Sequence, residues 1–385
     1  MIHFGLHVSR AMFARVAFAA CSRSAQCCTY VRSCSRTVFT LGPSRGAVLR
    51  SLSSDVFENL ALEDWLHNNL DLSEEGHALL LWQNAPVVVM GRHQNPWKEC
   101  NVGLLREKGI RLARRRSGGG TVYHDLGNLN ITFFTSRKRY DRARNLQLVC
   151  SALKAVSPRL DVCATDRFDL LLNGDFKVSG TAAKLGRTSA YHHCTLLSNT
   201  DRRALSAVLK SPYQGISSNA TRSVPSPVMN LTDQDPALSC ELLITAIAQQ
   251  YAHQYCLEPS IALLDPTDEN TLPGIRSTTQ EMLSWEWVFG KTPKFDVSVS
   301  LKVADAIVTL CMNVKNGIID TCSLELPATW PYWEAGAELQ SLLTGSRFCA
   351  GDAKLLSSSL LRSCPQTDGV QDRWRDLCEQ VASLM

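Results

Sequence analysis

A glycine-rich loop constrains this chain more than any other segment. Residues 114–120 read Arg-Arg-Arg-Ser-Gly-Gly-Gly, and a β-prone Thr-Val-Tyr follows them. Glycine has no Cβ, so consecutive N–H groups can turn toward one acceptor and a positive φ costs little. Arginines beside such a loop predict a site for a bulky anion, such as a phosphate or an adenylate. A glycine turn flanked by solvated arginines is the alternative that this segment leaves open.

The length and composition favour a globular protein of two domains. The chain has 385 residues, 45% of them hydrophobic and 20% charged, and its net charge is only +4. A chain of this length exceeds one typical domain. The small net charge gives no support for nucleic-acid binding, and no apolar run reaches the roughly 18 residues of a membrane helix. We therefore expect neither nucleic acid nor a membrane as a partner.

The N-terminal segment has the composition of a mitochondrial transit peptide. Residues 1–54 contain no aspartate or glutamate, but they contain seven arginines, many serines and scattered apolar residues. An acid-free, Arg- and Ser-rich amphipathic start is typical of mitochondrial import. We place the transit peptide at residues 1–47 and expect the protein in the mitochondrial matrix. A secretory signal and a disordered basic tail are the alternatives.

The cysteines predict reduced thiols rather than disulfides or a metal site. Four of the 15 fall in the predicted transit peptide, and the other 11 are scattered without a Cys-x-x-Cys pair. Most of them, Cys311 included, stand in apolar contexts, where a free cysteine behaves as a small hydrophobic residue. A zinc site is disfavoured by this spacing, and we expect no bound metal.

The order of predicted elements favours an α+β domain on a mixed or antiparallel sheet. The structured part is expected to begin near Asp55 with an amphipathic helix. Helices are predicted at residues 57–66, 100–108, 146–156 and 238–255, and strands at residues 79–82, 87–90, 130–135, 169–172 and 176–179. The strands at 79–82 and 87–90 are expected to form a hairpin around Asn84. Asn173-Gly174 predicts a second, tighter hairpin.

A smaller α+β domain is predicted after residue 292. Strands are expected at residues 297–303, 307–314 and 318–324, with a tight turn at Asn316-Gly317, and helices at residues 337–343, 353–361 and 372–384. We therefore divide the chain into a catalytic domain, residues 48–292, and a C-terminal accessory domain, residues 293–385.

Lys177 is the clearest candidate for a catalytic side chain. It lies in the middle of an apolar strand and is followed directly by the small residues Ser179-Gly-Thr-Ala182. Burial of an ammonium group requires a partner. One interpretation is that Lys177 binds a negative group of a ligand lying against residues 179–182. An edge-strand lysine directed to water is the alternative.

Five strings in this sequence resemble lipoate–protein ligases. They are residues 82–101, the glycine loop, Lys177-Val-Ser-Gly180, His192-His-Cys-Thr-Leu-Leu197 and Trp285-Glu-Trp287. The resemblance extends over almost everything from Asp55 onward. Together with the predicted transit peptide, it is strongest to the mitochondrial lipoyltransferases of this family.

The resemblance implies a biotin/lipoate-ligase type of mixed-sheet domain with a smaller α+β accessory domain. It also implies lipoyl-AMP as a substrate, no permanently bound cofactor, and a lipoyl tail in an apolar tunnel beneath the sheet. Lys177 corresponds to the lysine that contacts the acyl carbonyl and phosphate. The other implied contacts with lipoyl-AMP are Arg115, Gly120, Tyr123, Arg167, Thr195, Val224 and Ser226. Residues 221–226 resemble the segment that closes over the adenylate.

The chemistry of an acyl adenylate is consistent with these residues. The acyl group is already activated, so the protein has to exclude water, hold the carbonyl and stabilise negative charge. Lys177 and the N–H groups of residues 118–120 are suited to that task. We interpret His124, His192 and His193 as structural hydrogen-bonding groups. Cys194 raises the alternative of a thioester intermediate, but no base is placed beside it in the sequence.

The resemblance implies transfer of lipoyl groups to lipoyl domains of the acyltransferase subunits of 2-oxoacid dehydrogenases. The donor is lipoyl-AMP or a lipoylated carrier, with the glycine-cleavage carrier protein as a further candidate partner, and a monomer is expected. An ATP- and Mg²⁺-dependent ligase, a non-catalytic adaptor and a biotin ligase are the alternatives. Bacterial ligases commonly have serine at the position of Arg116, where we expect a bulky cation to obstruct a triphosphate. This difference favours transfer without activation.

Overall fold

The computed structural model describes residues 46–72, 75–365, 367 and 369–385. The predicted transit peptide lies outside the described residues, except for Gly46 and Ala47, which belong to the first strand. The expected start of structure at Asp55 is therefore wrong. The first strand precedes that residue and pairs in parallel with two other strands.

Runs of strands and helices are interspersed along the described chain. The strands are β1 (Gly46–Ser51), β2 (His77–Trp82), β3 (Val87–Met90), β4 (Arg111–Arg114), β5 (Val122–His124), β6 (Asn128–Ser136), β7 (Val162–Ala164), β8 (Leu170–Leu172), β9 (Phe176–Ser179), β10 (Thr181–Leu185), β11 (Ser189–Leu197), β12 (Ile216–Ser218), β13 (Ala262–Leu264), β14 (Phe295–Val303), β15 (Ala306–Lys315) and β16 (Ile318–Glu325). The helices are α1 (Val56–Asn69), α2 (Pro96–Glu99), α3 (Val102–Glu107), α4 (Arg142–Val156), α5 (Arg202–Val208), α6 (Cys240–Tyr255), α7 (Ile275–Leu283), α8 (Trp285–Val288), α9 (Ala335–Leu343), α10 (Ala350–Ser363) and α11 (Val370–Ser383).

The main sheet is mixed and has the strand order β10-β11-β6-β2-β1-β13. Its long central strand β6 runs antiparallel to both β11 and β2, whereas β1 runs parallel to β2 and β13. Alternate residues of β2 enter different cores, because successive side chains of a strand point to opposite faces. Leu79 and Leu81 pack with α4 and α6, while Leu80 packs with α1. The α+β prediction is confirmed.

Helix α1 is buried on all sides rather than amphipathic. It begins after Asp55, whose carboxylate accepts a hydrogen bond of 2.8 Å from the N–H of Phe57. The helix packs between the main sheet and α7, so even its polar residues Asn59 and Glu63 are buried. The predicted helix is therefore confirmed, but its solvent-exposed face is not, because α7 covers that face.

The first predicted hairpin is wrong, although both of its strands exist. Strand β2 lies in the main sheet, whereas β3 forms a separate sheet with β4 and β5. The connecting residue Asn84 is buried, and its amide group bonds to Asn59 and to His124. These contacts hold the connection as a crossover between two sheets instead of a tight turn.

The second predicted hairpin is confirmed. Strands β8 and β9 pair antiparallel, and Asn173 and Gly174 between them have φ values of 55° and 77°. These are the left-handed conformations that an Asn-Gly turn favours. The hairpin places Lys177 on β9, and β9 in turn contacts β11.

The C-terminal sheet has the order β12-β14-β15-β16, and α9 and α11 pack on it. Asn316 and Gly317 form the predicted left-handed turn between β15 and β16. Strand β12 was not predicted, and it comes from the middle of the chain. One hydrophobic core joins this region to Trp97 and Tyr123 of the preceding region. The division at residues 292 and 293 stays a prediction.

The eleven cysteines among the described residues are all free thiols. Cys100, Cys194, Cys364 and Cys378 are buried, whereas Cys311 is exposed on the outer face of β15, contrary to its expected apolar setting. Within the described part of the chain, no helix is long and apolar enough to cross a membrane.

Candidate active site

Two adjoining cavities lie beside the glycine loop. The first, here called the Trp82 cavity, has a volume of about 280 Å³ and includes the apolar residues Leu60, Trp82 and Val89 in its wall. The second, here called the Tyr123 cavity, has a volume of about 570 Å³. Both cavities are lined by Thr121, Val122, Lys177, Gly180, Thr195, Arg222, Ser223 and Val224. These shared residues make the two cavities neighbouring compartments.

All eight predicted site residues line one or both compartments. Arg115, Gly120 and Arg167 line the Trp82 cavity, and Tyr123 and Ser226 line the Tyr123 cavity. Lys177, Thr195 and Val224 lie at the boundary and line both. The structure therefore brings together residues that are more than 100 positions apart in the sequence.

Lys177 lies where the two cavities meet. Its Nζ is 2.9 Å from Oδ1 of Asp169 on the turn before β8, and a quarter of the side chain is exposed. The backbone of β9 is held from the other side, because the N–H of Lys177 donates to the carbonyl of Pro227. Gly180 leaves room for the side chain, since a Cβ there would lie 3.4 Å from Nζ. The lysine is thus positioned in a polar environment and accessible from both cavities.

Thr195 and Tyr123 complete the boundary. The Thr195 hydroxyl accepts a hydrogen bond of 3.1 Å from the N–H of Gly180, which fixes the small-residue segment after Lys177. Burial raises the pKa of Tyr123 to about 12, and Asp125 adds to the increase. The phenol is therefore neutral at physiological pH and can donate a hydrogen bond.

Arg115 supports the glycine loop from within. Its guanidinium donates to the carbonyls of Gly118 at 2.6 Å, of Gly120 at 2.7 Å and of Val89 at 3.2 Å, and also to the Ser117 hydroxyl. All three nitrogens of the group therefore have partners in the protein. Arg115 lies in the wall of the Trp82 cavity, where its contacts shape the loop, and its contact with lipoyl-AMP stays a prediction.

Gly119 and Gly120 of the loop are required for different structural reasons. Gly119 has φ +85°, the left-handed region, whereas Gly120 is required by a close approach, since a Cβ there would be 3.0 Å from Oγ of Ser223. Among the described residues, no hydrogen bond occupies the N–H groups of Gly118, Gly119 and Gly120. These groups could donate to an anion, and the anion site at the glycine loop stays a prediction.

The expectation that Arg114 adds charge beside the glycine loop is wrong. Its side chain is fully buried and donates to the carbonyls of Val288, Arg92 and Gln94 and to the Thr292 hydroxyl. Burial lowers the pKa of Arg114 to about 9. The carbonyls stabilise the buried cation, which lines neither cavity. The side chain connects β4 to α8 and to the segment that follows it.

Arg116 also points away from both cavities. Its guanidinium lies 3.9 Å from the ring centroid of Trp287 and forms ion pairs with Asp64 of α1 and Glu281 of α7. Arg116 lines neither cavity, because two carboxylates and an aromatic face bind its guanidinium. The interpretation that Arg116 obstructs a triphosphate stays a prediction.

Two of the three histidines near the site, His124 and His192, are buried. Burial lowers the pKa values of His124 and His192 to about 3, and their ring nitrogens contact the amides of Asn84 and Asn145. Both are therefore neutral at physiological pH. His124 and His193 both line the Trp82 cavity, whereas His192 does not, and the structural role of the three histidines stays a prediction.

A buried carboxylate orients His193. Glu63 of α1 accepts from Thr132 at 2.8 Å and lies 2.8 Å from Nδ1 of His193. Burial raises the pKa of Glu63, but the charge and hydrogen bond of His193, with other hydrogen bonds, outweigh it and lower the pKa overall. Nε2 of His193 lies 3.3 Å from the Ser117 hydroxyl at the start of the glycine triplet. This chain of contacts connects α1 to the loop.

Cys194 lines the Trp82 cavity but is not an activated thiol. Burial raises its pKa to about 12, so it is protonated at physiological pH. The thiolate is the nucleophilic form of cysteine, and reactive cysteines have lowered pKa values. The alternative of a thioester intermediate on Cys194 is therefore disfavoured.

Four residues of this site, Asp169, Arg222, Ser223 and Gln94, were not predicted individually from the sequence. Asp169 pairs with Lys177, exposed Arg222 lines both cavities, and Ser223 bonds to Gln94. Arg222 and Ser223 fall inside the predicted closing segment, residues 221–226, but no local pattern distinguishes their roles. Among the described residues, no three or more His, Cys, Asp or Glu side chains are grouped so that they could hold a metal ion.

The fold and the two cavities define the class of protein. Residues 55–252 match the family model of the lipoyl protein ligase A/B catalytic domain. The chain belongs to the lipoyl protein ligase A/B family.

Known relatives cover nearly the whole described chain. The chain is 53% identical to a Homo sapiens protein named lipoyl amidotransferase LIPT1, mitochondrial, over 88% of this chain and 92% of that protein. The Mus musculus protein of the same name is 51% identical over 90% of this chain and 94% of its own length. The crystal structure of P. falciparum LipL1 in complex with lipoate is 25% identical, covers 87% of this chain and 99% of its own, and has a TM-score of 0.56.

Proposed function

We propose that this chain transfers a lipoyl group to specific lysines of lipoyl domains in mitochondrial 2-oxoacid dehydrogenase complexes. The donor is lipoyl-AMP or a lipoylated carrier protein such as the glycine-cleavage carrier. The enzyme is an acyltransferase whose product is an amide of a protein lysine, and we place it in the mitochondrial matrix. It acts as a monomer.

One observation carries the proposal: Lys177 lies at the junction of two compartments that suit the two halves of an acyl adenylate. The Trp82 cavity has apolar walls at Leu60, Trp82 and Val89, which suit an alkyl chain. The Tyr123 cavity is larger and presents hydrogen-bonding groups beside apolar ones, which suits a nucleotide. The mixed anhydride between the two halves would then lie next to Lys177.

The reaction needs little covalent chemistry from the protein. The amine nitrogen of the acceptor lysine attacks the acyl carbonyl carbon, an amide C–N bond forms, and the C–O bond to the phosphate breaks. AMP leaves with the bonding electrons, and one amine proton is released to its phosphate. Lys177 stabilises the negative charge on the carbonyl and phosphate oxygens during this step. The walls of the cavities hold the donor and exclude water.

The test compares three donors with one acceptor. The full-length mature chain is incubated with an apo lipoyl domain and with lipoyl-AMP, with lipoate plus ATP and Mg²⁺, or with a lipoylated carrier protein. Lipoylation of the domain is measured by mass spectrometry of the intact protein. Product from lipoyl-AMP or from the carrier, without product from lipoate plus ATP, is the expected result.

The other outcomes separate the alternatives. Product from lipoate plus ATP as well as from lipoyl-AMP would assign the chain to the activating ligases. Product from none of the three donors, with the domain still bound, would overturn the proposal and favour a non-catalytic adaptor. A mutated acceptor domain that has lost its target lysine is the control for the site of attachment.

A further inference from the structure

A short segment borders both cavities and is anchored at both of its ends. Residues 221–226 and Val228 contribute to the cavity walls. Before them, β12 pairs with β14 of the C-terminal sheet. After them, Pro227 and Met229 bond to the backbone of Lys177. We call residues 216–229 the cover segment. Its two ends are therefore fixed by main-chain pairing.

The middle of the cover segment is held by the backbone of Thr221, which bonds to the carbonyl of His93 and to Nε2 of Gln94, and by the side chain of Ser223. The Ser223 hydroxyl accepts hydrogen bonds from the N–H of Thr121 at 2.8 Å and from Nε2 of Gln94 at 3.1 Å. It donates to the carboxylate of Glu99. A hydroxyl has one donor and two acceptor sites, so all of its hydrogen-bonding capacity is used.

The groups that hold Ser223 are themselves buried. Gln94 is fully buried, and Glu99 of α2 is 9% exposed. Oε1 of Gln94 accepts from the N–H of Gly91 and from the Thr121 hydroxyl, so its Nε2 is directed at the cover segment. Both oxygens of Glu99 also accept from the N–H of Ser223, at 3.3 Å each. Loss of the Ser223 hydroxyl would leave the N–H of Thr121 without its partner and remove one hydrogen bond each from Gln94 and Glu99, which is unfavourable in a buried site.

Gly120 permits this contact. A Cβ at Gly120 would approach Oγ of Ser223 to 3.0 Å and its Cα to 3.5 Å. The cover segment therefore packs directly on the glycine loop, at the end that borders both cavities. This close packing and the hydrogen bonds of Ser223 are two independent observations of the same connection.

We propose that Ser223 is a positioning residue that keeps the cover segment closed over the activated donor. With Glu99 and Gln94, it decides whether a bound acyl adenylate is retained for the acceptor lysine or lost to water. In the unwanted reaction, water attacks the acyl carbonyl carbon, the C–O bond to the phosphate breaks, and lipoate and AMP leave. This inference rests on the proposed function, in which an acyl adenylate occupies the two cavities.

The first experiment measures how lipoyl-AMP is partitioned between hydrolysis and transfer to the acceptor lysine. Ser223→Ala is expected to raise the rate of lipoyl-AMP hydrolysis without acceptor, and the KM for lipoyl-AMP, by about tenfold each, so that hydrolysis increases relative to transfer. Ser217→Ala is the matched control, because Ser217 is an exposed serine of the same segment. Wild-type hydrolysis and KM values in Ser223→Ala would overturn the proposal. Loss of folded protein alone would lower kcat and leave KM unchanged.

The second experiment does not depend on any donor. Trypsin can cleave after Arg222, which is exposed, and Glu99→Ala removes the carboxylate that holds Ser223 without changing the cleavage sequence. Cleavage after Arg222 is expected to accelerate about tenfold relative to cleavage after exposed Arg187, which serves as the internal standard. An unchanged ratio would overturn the proposal. A wild-type chain that lipoylates no domain from lipoyl-AMP or from the lipoylated carrier would instead contradict the proposed function and leave this proteolysis result to stand separately.

Discussion

Two groups of arginines in this molecule differ in their environment. The consecutive arginines before the glycine triplet, Arg114 to Arg116, have partners within the protein, which are carbonyls for the first two and carboxylates for the third. Arg167 and Arg222, which no cluster announces in the sequence, are exposed and line the cavities. A run of arginines next to glycines therefore does not predict how much positive charge is accessible to a ligand. The partners and the burial of each side chain determine its accessibility.

The physical reason for the difference is the strand to which the run is attached. Arg114 ends β4, a strand of the small sheet next to α8, so its side chain must enter the protein and find acceptors there. A buried cation without partners would be very unfavourable. Arg167, in contrast, lies on the turn before β8, and its side chain is exposed at the wall of the Trp82 cavity. The first type of arginine contributes to stability, and the second is available for binding.

The largest expected effect concerns the cation at the cavity boundary. Lys177→Ala is expected to reduce the rate of lipoyl transfer by about 10²–10³-fold, because it removes a group that stabilises the oxyanion and phosphate charge. The rate is measured by mass spectrometry of an apo lipoyl domain with lipoyl-AMP as the donor. The far-UV spectrum and melting temperature should remain close to wild type.

Lys184→Ala is a matched control for Lys177→Ala. Lys184 lies on the neighbouring strand β10, also pairs with an aspartate, Asp64, and has a side-chain exposure of 23% against 25% for Lys177. It does not line either cavity. Equal losses of transfer in the two variants would show that pairing with an aspartate, rather than position in the cavity, accounts for the effect.

The second prediction is that substitution of a buried arginine lowers stability, whereas substitution of an exposed cavity arginine lowers activity. Arg114→Met is expected to lower the free energy of unfolding by about 3 kcal/mol, because several buried carbonyls lose their donor. Arg167→Met is expected to change it by less than about 0.5 kcal/mol, but to slow transfer about tenfold. Denaturant unfolding and the transfer assay measure the two quantities on the same samples. A destabilised Arg167 variant with normal activity would break the comparison.

Local patterns predicted the parts of the site that are built from neighbouring residues. Asn173-Gly174 determines the β8–β9 hairpin, and this hairpin carries Lys177, so both could be inferred from a few adjacent residues. The partners of Arg114 could not, because Val288 and Thr292 are more than 170 positions away and Val288 contributes a backbone carbonyl. A carbonyl carries no sequence signature.

The same limit applies to the segments that cover and border the cavities. Strand β12 is three residues long and exists because it pairs with β14 of the C-terminal sheet. Three residues give no periodicity from which a strand could be inferred. The predicted hairpin at Asn84 failed for a related reason: buried contacts with Asn59 and His124, which are distant in sequence, direct the chain into another sheet.

The smallest expected effect concerns Arg116. Because its side chain lies on Trp287 and pairs with Asp64 and Glu281, it does not reach the cavities. Arg116→Ser recreates the serine common in bacterial ligases, yet it should leave the rate of transfer from lipoyl-AMP unchanged and confer no product from lipoate plus ATP. The free energy of unfolding should fall by about 1 kcal/mol through the lost cation–π contact and ion pairs. New ATP-dependent lipoylation in this variant would show that the residue does control activation, through a conformation of the loop in which the arginine turns toward the ligand.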